Sequence, residues 1–199
     1  SEGTVEATHT FEITQATLTI TWTDGINTVV YNGEPQTPAF TVSGLMGADK
    51  NAYRDKVTAV NPQTHAGSYS DLQFTITGTE NYKLDYTAAT SYTISKKELT
   101  PSWSATKFVY NATAQSPVVT LSGFVGSEES LYKVDHVLSE KEGGALTGSK
   151  AINAGSYSVT ATLSRADGIM DYYISSADNV AVTADFVIDK YTIDLYGDN

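Results

Sequence analysis

The chain has 199 residues, with 12 basic against 23 acidic side chains, a formal net charge of −11, and no cysteine. A balance this acidic disfavours nucleic acid and anionic membrane surfaces as partners, since both present negative charge to a negative protein. The missing cysteines remove disulfides and thiol nucleophiles, and no run of 18 apolar residues offers a membrane-spanning helix.

Thr, Val, Ile and 13 Tyr dominate the composition, and no long stretch carries apolar residues at helical spacing, so the chain reads as all-β. In chain order, residues 1–13 read as the closing strand of an upstream module or as a leader, with Phe11-Glu12-Ile13-Thr14 as its strand. Residues 14–95 form a first module, with strands predicted at 17–23, 28–31, 39–43, 68–77, 82–86 and 91–95. Alternation is clearest in Leu18-Thr19-Ile20-Thr21-Trp22, where every second residue is apolar, the pattern of a strand with one dry face. Residues 96–189 form a second module, with strands at 99–104, 107–110, 118–122, 132–138, 156–163, 172–174 and 180–188. Residues 190–199 read as the start of a further module or as a tail. Asp24-Gly25, Asn32-Gly33-Glu34-Pro35, Asn61-Pro62, Gly143-Gly144 and Asp167-Gly168 supply the turns between strands.

The two modules share an ordered set of short motifs. The first has Ile13-Thr14-Gln15-Ala16-Thr17-Leu18-Thr19, Trp22, Val30-Tyr31-Asn32, Pro38, Gly44 and Gly47, Ala66-Gly67-Ser68-Tyr69 and Asn81-Tyr82. The second has Ile94-Ser95-Lys96-Lys97-Glu98-Leu99-Thr100, Trp103, Val109-Tyr110-Asn111, Pro117, Gly123 and Gly126, Ala154-Gly155-Ser156-Tyr157 and Asp171-Tyr172. A tandem duplication at this period indicates a modular array, and each copy, about 80 to 95 residues long, is large enough to bury its own core. Tyr92-Thr93-Ile94-Ser95-Lys96-Lys97 passes from one module to the next with no Gly-, Pro- or Ser-rich spacer, which limits bending. With strands of roughly ten residues at 3.3 Å rise, each module is about 40 Å long and the pair makes a rod of about 80 Å.

Short strands with frequent turns predict two tandem immunoglobulin-like β-sandwich modules. Gly-Ser-Tyr-Ser at 67–70 and 155–158 adds a tyrosine whose ring enters the core while its hydroxyl caps a backbone group at a corner. The alternative is a pair of β-grasp-like modules, which requires a helix across the sheet and leaves room for one only at 48–58 or 127–142.

With Ile-Ser-Lys-Lys-Glu-Leu-Thr at 94–100, Val-Tyr-Asn at 109–111, Leu-Ser-Gly-Phe-Val-Gly at 121–126 and Asn-Ala-Gly-Ser-Tyr at 153–157, the chain resembles the MBG-type, immunoglobulin-like tandem repeats of bacterial cell-surface, adhesin-like proteins. The resemblance spans roughly residues 13 to 190. It implies a structural stalk or spacer in a secreted or surface-attached protein, an extracellular location, and neighbouring repeats as partners. The first module departs at His65, where the second has Asn153, and at Gln15, where the second has Lys96.

Sites of chemistry are sparse. A Gly-x-Ser-x-Gly elbow is missing, and Gly143-Gly144-Ala145-Leu146-Thr147-Gly148-Ser149-Lys150 reverses the order a phosphate loop needs. His9, His65 and His136 lack the paired spacing of a zinc site. Glu128-Glu129, Asp167, Asp171 and Asp178 do not form a calcium loop, though calcium at the module junction stays open. An isopeptide bond from Lys96 to an asparagine is a further covalent option, confined to the second module. Trp22 and Trp103 occupy matching places and read as core. Of the aromatics without a counterpart, Tyr53, Tyr132, Tyr173 and Tyr196, two lie in long insertions: Tyr53 and Tyr132 are the candidate binding residues for a host or environmental glycan or protein. The expectation is therefore a monomeric spacer with no catalytic residue, cofactor or metal and no membrane insertion. A glycan- or protein-binding module is the alternative, and an enzyme resting on the scattered carboxylates is a third reading.

Overall fold

The computed structural model describes residues 6–176 and 178–193. Strands predominate, and the helical content among these residues is the four-residue helix Asp49–Ala52 and a few single 3-10 turns. Contacts divide the chain into two compact units. Unit one holds the described residues up to Val29 together with Pro35–Gln63 and Ser68–Thr93; unit two holds Val30–Glu34, Thr64–Gly67 and the described residues from Ile94 onward.

The alternation at Leu18-Thr19-Ile20-Thr21-Trp22 produces the strand Ala16–Trp22, which buries Leu18, Ile20 and Trp22 and turns its threonines outward. It pairs antiparallel with Phe40–Ser43, Trp22 opposite Phe40, and parallel with Tyr82–Asp85, Ala16 opposite Tyr82. In unit two the same order recurs: Lys97–Trp103 lies between antiparallel Val119–Ser122 and parallel Tyr172–Ile174. A second type of sheet also recurs in order. Thr28–Val30, Tyr92–Ser95 and Gly67–Tyr69 make one three-stranded sheet, and Lys107–Val109, Ala181–Asp189, Gly155–Arg165 and Tyr132–Glu140 make a four-stranded one.

The core of unit two lies between its sheets. Tyr157, Val159, Phe186 and Ile188 are buried on the four-stranded sheet, and Trp103 from the three-stranded sheet packs against them, giving a sandwich-like body. In unit one Trp22 sits 6.5 Å from the ring of Phe74 and 6.1 Å from that of Tyr92. Both tryptophans therefore serve packing, Trp22 nearly covered and Trp103 half-buried.

Most predicted strands form within a residue or so of their expected limits, and the exceptions have local causes. Residues 68–77 split into Gly67–Tyr69 and Phe74–Ile76. Between them the Asn61 side chain donates to the Asp71 carbonyl at 3.1 Å and accepts the Gln73 N–H at 2.9 Å, capturing backbone groups that a ladder would need. The corresponding stretch of unit two, Gly155–Arg165, runs unbroken between two long partners. Val57–Ala59 and the small hairpin Leu146–Thr147 with Lys150–Ala151 lie outside the predicted strands. Residues 48–58 yield only Asp49–Ala52 and a 3-10 turn, and residues 127–142 are mostly the strand Tyr132–Glu140, so neither stretch lays a helix across a sheet. Residues 6–15 and 190–193, where closing and opening strands are predicted, carry no strand here and are exposed, Phe11 and Ile13 at 82% and 87%. A strand needs a neighbour for its N–H and C=O groups, and these segments have no ladder. Tyr196 lies outside the described residues.

Two glycines set the turn that later positions an acid. Gly44 and Gly123 sit at φ +99° and +109°, and a Cβ on Gly44 would meet the Thr17 carbonyl at 2.5 Å. The corner tyrosine is present at Tyr157: fully buried, it stacks on Phe186 at 5.4 Å and donates its hydroxyl to the Asn153 carbonyl at 2.9 Å. Tyr157→Phe keeps the ring and leaves two carbonyls, those of Asn153 and Ala145, short of a donor. The expected loss is about 1–2 kcal/mol of unfolding free energy in urea titration, and a variant as stable as the parent would show that the hydroxyl contributes nothing.

Candidate functional site

Polar side chains converge in unit two on two carboxylates, Glu128 and Asp171. Glu128 opens the 3-10 turn Glu128–Leu131, which follows the Gly123 to Gly126 loop. Asp171 and Tyr172 come from the start of the strand Tyr172–Ile174, held in register where the Lys97 N–H donates to the Asp171 carbonyl at 2.9 Å. Tyr31, His65 and Ala66 arrive on the short segments Val30–Glu34 and Thr64–Gly67.

Each oxygen of Glu128 accepts one phenol. Tyr31 donates to Oε1 at 2.7 Å and Tyr172 to Oε2 at 2.5 Å, while the Tyr172 oxygen in turn accepts the Val125 N–H at 2.9 Å. Asp171 is only 1% exposed. Its Oδ1 accepts the Ala66 N–H at 2.8 Å; its Oδ2 lies 2.9 Å from His65 Nδ1 and 3.5 Å from Arg165 Nη1. Arg165 also pairs with Asp167 at 3.0 Å and sets its guanidinium 5.6 Å from the centre of the Tyr132 ring. An aromatic wall closes the cluster: Tyr31, Phe124 and Tyr132 meet Tyr172 edge-on at 5.4, 5.0 and 5.4 Å.

This environment holds the phenols neutral. Burial is the first cause of the strong upward shift at Tyr31, followed by its bond to the Glu128 carboxylate and the negative charge of Asp171. Tyr172 is raised for the same leading reasons, with the Val125 N–H pulling the other way. Tyr132 is raised by burial against the opposing pull of Arg165. Chemically, the arrangement is a set of charge-assisted hydrogen bonds that fastens two loops to the strand beginning at Tyr172. A smaller version exists in unit one, where Tyr82 donates to Asp49 Oδ2 at 2.6 Å and accepts the Met46 N–H at 3.3 Å.

Of the candidate binding residues, Tyr132 belongs to this cluster: half-buried, it lies 5.6 Å from the Phe124 ring, and its hydroxyl accepts the Asp171 N–H at 3.4 Å. Tyr53 is in unit one, half-buried just after the helix Asp49–Ala52. Tyr173 is half-buried with its hydroxyl 3.4 Å from Glu98. His9 and His136 are exposed, whereas His65 enters the cluster. Lys96 Nζ lies 2.6 Å from Asp178, so its nearest partner is a carboxylate and not an asparagine. Among the described residues no group of three or more His, Asp or Glu is gathered as a metal ion would require. Read from sequence, Glu128 and Asp171 stand out as carboxylates and Val30-Tyr31-Asn32 as a motif, with nothing that joins them. One signal links them: Asp49 and Glu128 stand at the same place after Gly44 and Gly123, each answering an Asn-Tyr or Asp-Tyr pair.

No protein-family model, curated protein or solved structure matches the chain.

Because the folded pKa of Tyr31 and Tyr172 lies above the ordinary 10.0, the unfolded chain loses these protons first as pH rises. The stabilisation is complete below about pH 10 and is lost progressively above it. Tyr31→Phe should therefore be less stable than the parent at about pH 7, yet its melting temperature should fall less steeply between about pH 10 and pH 12. Parallel alkaline slopes for parent and variant would refute this account.

Proposed function

We propose that the chain is a structural spacer segment of a larger secreted or surface-attached bacterial protein, built from two tandem immunoglobulin-like modules. The observation that carries the reading is how the polar cluster is wired: Glu128 and Asp171 each meet groups of unit two with both oxygens. These acids tie Val30–Glu34 and Thr64–Gly67 to the strand that begins at Tyr172, which is what a body under tension needs from its loops. The duplicated motif order and the matching strand orders support repetition of one module. The resemblance to MBG-type repeats supplies the extracellular setting and neighbouring repeats as partners. Binding of a glycan or protein through Tyr132 draws no support from a ring already packed against Phe124 and Tyr172.

Two measurements test the reading. Screened on a glycan array and against extracellular-matrix proteins, the immobilised chain should give no saturable binding; a Kd of about 10 µM or tighter for any of them overturns it. Pulled from its ends, the chain should lengthen in discrete unfolding steps, whereas smooth extension at low force would show that it cannot hold a length under load.

A further inference from the structure

The loop that carries Tyr31 is built a second time around Tyr110. Tyr31 N–H donates to the Ser95 carbonyl at 2.9 Å and Tyr110 N–H to the Asp189 carbonyl at 2.9 Å. Asn32 accepts the Glu34 N–H and Asn111 the Thr113 N–H, both at 2.9 Å. Gln36 N–H donates to the Gln63 carbonyl and Gln115 N–H to that of Ala151, again both at 2.9 Å. With the backbone laid out alike, the side chains differ in what they meet. Tyr31 is 3% exposed against Glu128 and Tyr172; Tyr110 is 37% exposed. It lines an open groove of about 570 Å³ with Asn153, Ala154, Lys190 and Tyr191, where Asn153 and Ala154 stand in the places of His65 and Ala66.

The complementary surface also occurs twice. Glu128, Asp171 and Tyr172 are matched in unit one by Asp49, Asn81 and Tyr82, with the same phenol-to-acid bond and the same N–H onto the phenol oxygen. There the groove, about 240 Å³, is lined by Gln15, Met46, Asn81 and Tyr82 among others. Asn81 and Glu80 are exposed beside it, and Asp49 is half-buried.

We propose that the Tyr110, Asn153 and Ala154 face of one copy docks on the Asp49, Asn81 and Tyr82 face of a second copy of this chain. This deepens the spacer reading and rests on its premise that the modules are copies. Tyr110 donates to Asp49 Oδ1 as Tyr31 donates to Glu128, and the Ala154 N–H donates to the Asn81 side-chain oxygen as that of Ala66 does to Asp171. Lys190 brings positive charge to one face, while Asp49 and Glu80 bring negative charge to the other. For the faces to meet, the exposed residues 6–14 and 191–193, which have no ladder to hold them, must move aside while Lys190 stays. Because the two faces are different, the contact is head-to-tail and does not close on itself. It is weak, since an Asn–Asn contact replaces the charged His65–Asp171 pair.

The absence of cysteine from the chain makes disulfide trapping specific. Asn153→Cys and Asn81→Cys are made in separate full-length chains, both at exposed positions, and oxidised alone and mixed. The mixture should form the disulfide between positions 153 and 81 at least about tenfold faster than either chain forms its own dimer, since only docked faces bring Cα atoms within roughly 7 Å. Adding Tyr110→Ser to the Asn153→Cys chain should return the mixed rate to the level of the single chains. Equal rates for mixed and self pairs, or fast self-pairing of Asn153→Cys, overturn the proposal. A foreign ligand, the result that sinks the spacer reading, leaves this ratio unchanged.

Discussion

A buried carboxylate has to be met on both oxygens, and much of unit two is arranged around that requirement. Asp171 is 1% exposed, and removing a charge from water costs several kcal/mol unless hydrogen bonds replace the lost solvent. The replacements come from two separate stretches of chain, Ala66 with His65 and Arg165, while the Tyr132 hydroxyl accepts the Asp171 N–H beside them. Glu128, half-buried, takes its donors from phenols, which deliver a hydrogen bond together with a large apolar ring. Loops that would otherwise contribute little apolar burial thus become fixed, because their detachment would strand an acid.

The two copies of this device differ by side chains rather than by plan. In unit one Asp49 replaces Glu128, one methylene shorter, and still receives the Tyr82 hydroxyl. Asn81 replaces Asp171, so the acceptor that takes a backbone N–H remains while the charge goes. The partner position follows suit: His65 faces the charged acid, and its counterpart is Asn153. Charge is retained where an arginine stands near to offset it, as Arg165 does for Asp171.

How much of this is legible in the sequence depends on the range of the interaction. Alternation in Leu18-Thr19-Ile20-Thr21-Trp22 reports local geometry, so the strands and their buried rows can be read directly. The corner role of Tyr157 is legible too, because its hydroxyl reaches a carbonyl only four residues earlier. The break at 70–73 is not, since it depends on an Asn61 side chain reaching across from another loop. The cluster is hidden for the same reason. Tyr31 and Glu128, or His65 and Asp171, are far apart in the chain, and nothing in either residue's neighbourhood announces the other. Tyr132 illustrates the cost of judging by local context: an unmatched aromatic in a long insertion suggests recognition, yet its ring lies between Phe124, Tyr172 and Arg165.

The same sheet that supports the cluster also presents an edge to solvent. Tyr132–Glu140 is a nine-residue strand at the edge of the four-stranded sheet, and a strand of that length with open N–H and C=O groups invites another chain to pair with it. Its outward residues argue against that. Lys133 pairs with Asp135, His136, Ser139 and Glu140 are exposed, and Lys141 beyond them pairs with Asp185 at 2.5 Å. An incoming strand would have to bury these charges or face them with like charges from an acidic chain. Along the strand the charged and polar side chains flank a single large exposed apolar one, Val137, while Tyr110, Val109 and Val118 keep apolar surface exposed elsewhere in unit two. The charges along the edge oppose indiscriminate pairing there, and the proposed contact through Tyr110 draws on a hydrogen-bonding geometry already exercised once around Glu128 and Asp171.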